Sequence, residues 1–235
     1  MVTVKLFGMT KFLVGNKSAL SLPMAHSGKV KDLIELISTG YPQIGELIQN
    51  KKVLVSVNQD IAHEETVIHE HDEVALLPPF AGGSESNSPT GPLTDDMFVR
   101  IQREDFSIDE EINRVRSRSK QIGGISIFLG TARDRSRGRT VDSITFEHYD
   151  GMAQKKLREI RERGLKEFNI IELLIIHRYG DISIGENIVL IIAGAEHRAE
   201  SFPACRWAID ELKKITPIWK LEHTPGGEVW VEEHP

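Results

Sequence analysis

Two lysines near the C-terminal end of the sequence have positions that suit nucleophilic or proton-transfer chemistry. Lys213 falls in the last turn of a predicted helix, and Lys220 directly follows the apolar pair Ile218 and Trp219. A lysine held against apolar surface has a lowered pKa and can act as a nucleophile or carry a proton. Lysines at a helix C-terminus are also common partners of the last carbonyls, so a purely structural interpretation stays open.

Three further basic residues suit the binding of an anion. Arg133 follows a predicted strand and opens an arginine-rich segment that runs to Arg139. Its guanidinium group matches phosphate or carboxylate in two-point contacts, although a solvated charged hairpin is an equal alternative. His197 and Arg198 lie between a strand and a helix, where the N–H groups of the helix N-terminus attract anions. A polar turn without a ligand is the alternative for this pair.

The predicted helix 199–215 separates these two groups of basic residues. At a rise of 1.5 Å per residue, His197 and Arg198 lie roughly 20–25 Å from Lys213. One small substrate cannot touch both groups within a single subunit, so a pocket that uses both is shared between two copies of a symmetric dimer. The buried face of this helix is predicted to consist of Phe202, Cys205, Ile209 and Leu212.

A pair of glycines follows the last predicted strand of the N-terminal part. Gly82 and Gly83 complete a smooth tail, and proteins that carry an activated carboxylate end in such tails because glycine enters a narrow channel without steric penalty. Here the chain continues with Ser84 into a segment rich in Ser, Gly and Pro. Carrier chemistry at Gly83 therefore requires cleavage between Gly83 and Ser84. The alternative is that both glycines belong to a flexible linker.

The order of predicted elements indicates an α+β protein with two domains. Residues 1–83 alternate strands with a helix at 30–37, which suggests a ubiquitin-like β-grasp domain. Residues 84–96 form a polar linker, and residues 97–235 interleave helices with strands, which predicts an α/β sandwich. Strands are predicted at 2–6, 19–22, 53–57, 74–77, 124–130, 143–147, 170–176 and 187–193, and the remaining helices at 108–118, 153–168 and 199–215.

The composition is that of a soluble globular protein, and no metal or other cofactor is expected. A net charge of −6 argues against a whole-chain binder of nucleic acid. The single cysteine excludes an internal disulfide and a multi-thiolate metal site. His69 and His71 flank Glu70 without a third ligand in view, so no metal is expected there. No signal sequence or bilayer-spanning run is visible, and the expected location is the cytoplasm.

Several separated motifs resemble those of molybdopterin synthase with its small and large subunits fused in one chain. The N-terminal resemblance rests on the strand pattern and on the end Phe80-Ala81-Gly82-Gly83. The large-subunit resemblance is more specific and covers nearly everything after the linker. Its motifs are FLGTAR at 128–133, EHYDGM at 147–152, IHRYG at 176–180, EHR at 196–198 and LKKITPIWK at 212–220.

The resemblance implies sulfur transfer in molybdenum cofactor biosynthesis and a C-terminal domain of the large-subunit type. In this family, a thiocarboxylate on the terminal glycine of the small subunit donates sulfur to cyclic pyranopterin monophosphate. Two transfers give the dithiolene of molybdopterin. The tail of the carrier enters a pocket of the large subunit, and large subunits form a homodimer whose pockets draw residues from both copies. An adenylating and sulfurating enzyme is implied as the partner that charges Gly83.

The resemblance also implies roles for the basic residues. Lys213 and Lys220 match the two catalytic lysines of the family. Lys213 would lie beside the thiocarboxylate and help proton transfer or form a transient acyl adduct, and Lys220 would assist ring opening and charge balance. Arg133, His197 and Arg198 match positions that hold the phosphate and pterin, the latter two reaching across the dimer.

Two features depart from the family pattern. Gly83 is blocked by its peptide bond to Ser84, so hydrolysis of that bond is predicted. The basic tail that often continues the chains of this family does not follow Pro235, so substrate contacts from such a tail are missing or replaced. The alternative function is an uncleaved fusion whose β-grasp half is an inert interaction module. Its catalytic half would then be inactive or served by a separate carrier in trans.

Overall fold

The chain forms two compact units in the structure, which is a computed structural model. It describes residues 1–24, 27–78, 97–215 and 217–231. One unit contains the described residues up to 78, and the other contains those from 97 onward. The predicted boundaries at 83/84 and 96/97 lie outside the described residues, as do Gly82, Gly83 and Ser84.

The N-terminal unit is a β-grasp, as the sequence predicts. Its elements are β1 (Val2–Leu6), α1 (Met9–Phe12), β2 (Ala19–Leu22), β3 (Ser27–Lys29), α2 (Val30–Gly40), α3 (Pro42–Gln49), β4 (Leu54–Val57), β5 (Asp60–Ile61), β6 (Val67–His69) and β7 (Val74–Leu77). The main sheet has the order β2-β1-β7-β4-β5, and β3 pairs with β6. Strands β1 and β7 run parallel, whereas β2 and β4 are antiparallel to their neighbours.

Helix α2 supplies the main packing face of this unit because its apolar residues recur at helical spacing. Its buried residues are Val30, Leu33 and Ile37, which join the strands in one hydrophobic core. Pro42 ends the helix, because the residue before a proline is disfavoured in helical conformation. The same proline begins α3, since proline suits the first position of a helix. Sequence reasoning did not predict α3.

The C-terminal unit contains two four-stranded sheets, a short hairpin and three long helices. Its elements are β8 (Val99–Gln102), α4 (Ile108–Ser117), β9 (Gly124–Thr131), β10 (Arg135–Ser136), β11 (Arg139–Thr140), β12 (Ser143–His148), α5 (Met152–Glu167), β13 (Glu172–Arg178), β14 (Gly180–Ser183), β15 (Asn187–Ala195), α6 (Arg198–Ile215), β16 (Ile218–Thr224) and β17 (Gly227–Val231). The first sheet has the order β8-β13-β15-β9, and the second β14-β12-β16-β17.

Helices cover both faces of the first sheet. Helices α5 and α6 pack on one face, and α4 packs on the other. Strand β13 is therefore buried along its whole length, and its middle residues, 173–176, form a continuous apolar run rather than an alternation. The second sheet has its own small core, which includes Ile144, Phe146 and Ile218.

The predicted elements are confirmed to within three residues at their ends, but one packing prediction is wrong. Phe202 is 63% exposed, whereas the other three residues predicted on its face of α6 are buried. The helix approaches the sheet through small residues instead, Ser201, Ala204 and Ala208, and the hydroxyl of Ser201 lies 2.7 Å from that of Ser126. This close approach turns Phe202 toward solvent.

Among the helices that the structure describes, none is both long and apolar enough to cross a membrane.

Candidate functional site

Lys220 lies in the middle of the second sheet, on strand β16. The register of β12 and β16 places it opposite Phe146, a core residue. Its side chain is 19% exposed, and its ammonium group donates to the Oε1 atom of Glu222 at 2.7 Å. Residues two apart on a strand share a face of the sheet, so β16 itself brings this lysine and this carboxylate together.

Glu222 also links Lys220 to the arginine-rich segment. This segment folds as the β10–β11 hairpin, and the Nη2 atom of Arg139 lies 3.6 Å from the Oε2 atom of Glu222. Burial acts to raise the pKa of the Glu222 carboxyl. The hydrogen bonds from Lys220 and Ser136 and the charges of Lys220 and Arg139 outweigh burial and hold that pKa below its usual range. The hairpin is therefore tied to the sheet and is not simply a solvated loop.

Aromatic rings lie on the same side of the second sheet as Lys220. The rings of Phe146 and His177 meet edge to face at 5.1 Å, and those of His148 and Tyr179 lie 4.4 Å apart. Burial lowers the pKa of His148, although the nearby charge of Asp150 opposes this shift. The lowered pKa favours the neutral imidazole, which can accept or donate a hydrogen bond without adding charge.

Lys213 lies in the last turn of α6, as predicted. Its helix is anchored in the core through Ile209 and Leu212. Only residues 216 and 217 connect α6 to β16. The end of α6 that carries Lys213 and the beginning of the strand that carries Lys220 are therefore neighbours in the fold.

The three predicted anion-binding residues are exposed, and one chain does not bring them together. Gly124, at the start of β9, packs closely on the backbone that carries His197 and Arg198: a Cβ atom built on it would lie 3.0 Å from the Arg198 nitrogen. Arg133 follows the other end of β9. A strand of eight residues separates its ends by about 24 Å.

The glycine tail predicted to carry sulfur lies outside the described residues. Cys205 lies in the core, as predicted, and burial raises the pKa of its thiol to about 11. It is therefore not suited to nucleophilic chemistry at neutral pH.

Sequence reasoning missed Glu222 and the role of Arg139. A signal was available, because Lys220 and Glu222 are two apart in a segment that reads as a strand. Glu222 was overlooked because the hairpin residues that interact with it, Ser136 and Arg139, come from a distant part of the sequence.

Two family models match separate parts of the chain. The model described as ThiS family matches residues 4–83, and the model described as MoaE protein matches residues 101–215. The first match ends at the second glycine of the tail, and the second begins within β8 and ends with α6.

Proteins of known name resemble the C-terminal part. The chain is 48% identical over 129 residues to the molybdopterin synthase catalytic subunit of Pyrococcus abyssi. The aligned region covers 55% of this chain and 86% of that protein. The chain is also 38% identical over 134 residues to the catalytic subunit of Ralstonia nicotianae, covering 57% and 76%. The crystal structure of molybdopterin synthase from Staphylococcus aureus aligns with this chain with a TM-score of 0.53 and a sequence identity of 28%. The alignment covers 57% of this chain and 96% of that chain. The chain therefore belongs to the molybdopterin synthase family and carries a ThiS-family part and a catalytic-subunit part in one polypeptide.

Proposed function

We propose that this chain is a fused molybdopterin synthase that carries sulfur on its own N-terminal part. The observation that carries the proposal is the pairing of the two family matches, the first of which ends at Gly83. A thiocarboxylate at Gly83 would donate its sulfur to cyclic pyranopterin monophosphate, and hydrolysis by water of the acyl–sulfur bond would return Gly83 as a carboxylate. Two such transfers would build the dithiolene of molybdopterin.

Lys220 would assist the opening of the substrate ring and balance its charge. The ion pair with Glu222 at 2.7 Å supports this role, because it fixes the ammonium group in a partly buried position. Lys213 would lie beside the thiocarboxylate and either transfer a proton or form a transient acyl adduct. Its place at the end of α6, two connecting residues from β16, supports a shared site with Lys220.

Arg133, His197 and Arg198 would bind the phosphate and the pterin. All three are exposed, and guanidinium groups bind phosphate in two-point contacts. Arg133 follows the end of β9, whereas His197 and Arg198 lie against its beginning. The proposal therefore requires a homodimer in which His197 and Arg198 serve the pocket of the other copy.

The carrier must have a free C-terminal carboxylate before an adenylating and sulfurating enzyme can charge it. We therefore propose cleavage between Gly83 and Ser84, in the cytoplasm. The rival is an uncleaved fusion with an inert carrier half, and the intact mass of the protein recovered from its native cells separates the two. Two fragments, the smaller ending at Gly83 and carrying sulfur in place of one oxygen, are expected. A single species near 26.4 kDa would contradict the proposal.

The role of Lys213 is tested by Lys213→Ala, with Lys214→Ala as the matched control. Lys214 is the next residue of the same helix and forms a surface pair with Glu211 at 3.5 Å, which contributes little. We expect sulfur transfer by the processed protein to fall at least about 100-fold in Lys213→Ala, the scale of a lost proton-transfer group. The control is expected to keep its rate. Full activity of Lys213→Ala would remove this residue from the mechanism.

A further inference from the structure

A cleft on the C-terminal unit lies between helix α4 and the residues that precede β8. It has a volume of about 470 Å³ and is lined by Met97, Phe98 and one face of α4. Cavities of about 300–1,000 Å³ commonly bind small molecules. Helix α4 packs on the face of the first sheet opposite α5 and α6. This α4 cleft is therefore on the other side of that sheet from the helix that carries Lys213.

Two arginines at the end of α4 line the cleft with part of their hydrogen-bonding capacity unused. The Nε atom of Arg114 lies 3.0 Å from Glu111, and that of Arg118 lies 3.2 Å from Glu172. Within the part of the chain that the structure describes, the Nη nitrogens of these two arginines donate no hydrogen bond. Their side chains are 29% and 57% exposed. Because a guanidinium group binds phosphate through two parallel N–H donors, both Nη ends are suited to an anion.

The two glutamates do not neutralise the positive charge beside the cleft. Glu111 also accepts a hydrogen bond from Arg100, and Glu172 accepts two from Arg161 at 2.8 and 3.0 Å. Four guanidinium groups thus share two buried carboxylates, which leaves two positive charges in excess. The two arginines that line the cleft are four positions apart on the helix, where like charges repel each other. A bound phosphate group would supply the missing counter-charge.

The other end of the cleft is suited to an aromatic ring that carries an amino group. Glu110 lines this end and lies eight positions before Arg118, which is about 12 Å along the helix. A carboxylate repels a simple anion but accepts a hydrogen bond from an amino group, and the amide of Asn113 can donate or accept one. Met97 and Phe98 add apolar surface, and a methionine side chain adapts its shape to an aromatic ring.

We propose that the α4 cleft binds a phosphate ester of an amino-substituted heteroaromatic compound. Arg114 and Arg118 hold the phosphate, Glu110 accepts from the amino group, and Met97 and Phe98 contact the ring. Nucleotides and phosphorylated pterins share this chemistry. The cleft uses none of the residues assigned to sulfur transfer, so the proposed function and this site stand or fall separately.

The site is tested by isothermal titration calorimetry of the full chain with AMP, and with adenosine and inorganic phosphate as its two fragments. AMP is expected to bind at least about 10-fold more tightly than either fragment, because ring and phosphate both contact the protein. Arg114→Ala and Arg118→Ala are each expected to weaken AMP binding by about 10-fold or more, the scale of a lost hydrogen bond between charged groups.

Both variants are expected to fold, which circular dichroism checks. Each substitution leaves its buried glutamate paired with a second arginine, Arg100 or Arg161. Arg206→Ala is the matched control, because it removes the same charge from an exposed position of α6 whose partner Asp210 lies 3.8 Å away. This control is expected to keep the wild-type affinity for AMP.

Cyclic pyranopterin monophosphate, titrated in the same way, distinguishes the two sources of the ligand. Tighter binding of AMP in the arginine-dependent site would assign the cleft to a nucleotide, and tighter binding of the pterin would assign it to a phosphorylated pterin. Binding of neither compound to the wild-type protein would overturn the proposal. Affinities that stay unchanged in the folded Arg114→Ala and Arg118→Ala proteins would do the same, as would an affinity for inorganic phosphate equal to that for both compounds.

Discussion

Glu222 is the residue that gives Lys220 a defined position. Its carboxylate receives a hydrogen bond from the lysine and lies 3.6 Å from a guanidinium nitrogen of Arg139, while the glutamate itself is fully buried. One buried carboxylate thus fixes a lysine of the sheet and an arginine of the hairpin. Loss of its charge would leave two cations close together without a counter-charge.

We expect Glu222→Gln to reduce sulfur transfer by about 10–100-fold, because a displacement of about 1 Å at a reacting group can cost about 100-fold in rate. Glutamine keeps the shape of the side chain and removes its charge. Steady-state kinetics of the processed protein measure the effect. Glu228→Gln is the control on the adjacent strand, since Glu228 is exposed and pairs with the half-buried His223 at 3.4 Å. An unchanged rate in Glu222→Gln would show that the ion pair does not position Lys220 for catalysis.

The same carboxyl predicts a pH dependence of stability. Its pKa is lowered in the folded state, so folding favours the ionised form. The resulting stabilisation is fully present above the ordinary glutamate value of about 4.3 and is lost as the pH falls through the lower folded value. Urea unfolding is therefore expected to separate wild type from Glu222→Gln at pH 7 and to bring them closer at pH 3. A difference that does not shrink at pH 3 would contradict the assignment.

At the scale of elements, a buried ion pair fastens helix α5 to strand β13. Arg161 donates to the two carboxylate oxygens of Glu172 at 2.8 and 3.0 Å, and both side chains are almost fully buried. Arg118 adds a contact at 3.2 Å. Strand β13 is central to the first sheet, so this pair holds the scaffold on which α6 and its lysines lie.

Glu172→Ala is expected to lower the free energy of unfolding of the C-terminal unit by about 3–5 kcal/mol, because it leaves a buried guanidinium group without its counter-charge. Chemical denaturation measures the change. Glu167→Ala, which breaks an exposed pair with Arg163 at 3.4 Å, is expected to cost less than about 1 kcal/mol. Equal effects of the two substitutions would contradict the role assigned to burial.

The elements could be predicted from sequence because their signals are local. Apolar spacing in α2 and alternation in β1 each need only a few neighbouring residues. The outward turn of Phe202 could not be predicted, since it depends on the contact of Ser201 with Ser126, 75 positions away. The split of Arg133 from His197 and Arg198 depends on the pairing of β9 with β15, which local patterns do not reveal. Lys213 and Lys220 were found by residue type and resemblance, and their roles stay predictions.

At the scale of the whole molecule, the fusion makes processing the first step of function. We expect Gly83→Val to leave the chain uncut at 26.4 kDa and without bound sulfur, because a branched side chain hinders entry of the tail into a narrow channel. Gly91→Val, in the predicted linker, is the control and should still be cut. Mass spectrometry of protein from native cells measures both. Normal cleavage and sulfur loading of Gly83→Val would show that the processing and charging enzymes do not recognise this glycine.

The parallel pairing of β1 with β7 has a mechanical consequence. Strand β1 begins at Val2 and its parallel neighbour β7 ends at Leu77, so the chain leaves the two strands in opposite directions. A force applied through those ends loads the pair in shear, and its evenly spaced hydrogen bonds must then break together rather than one after another. A protease that unfolds its substrate by pulling would meet this pair first. Separation of the two halves is therefore expected from an enzyme that cuts within the predicted linker without pulling the fold apart.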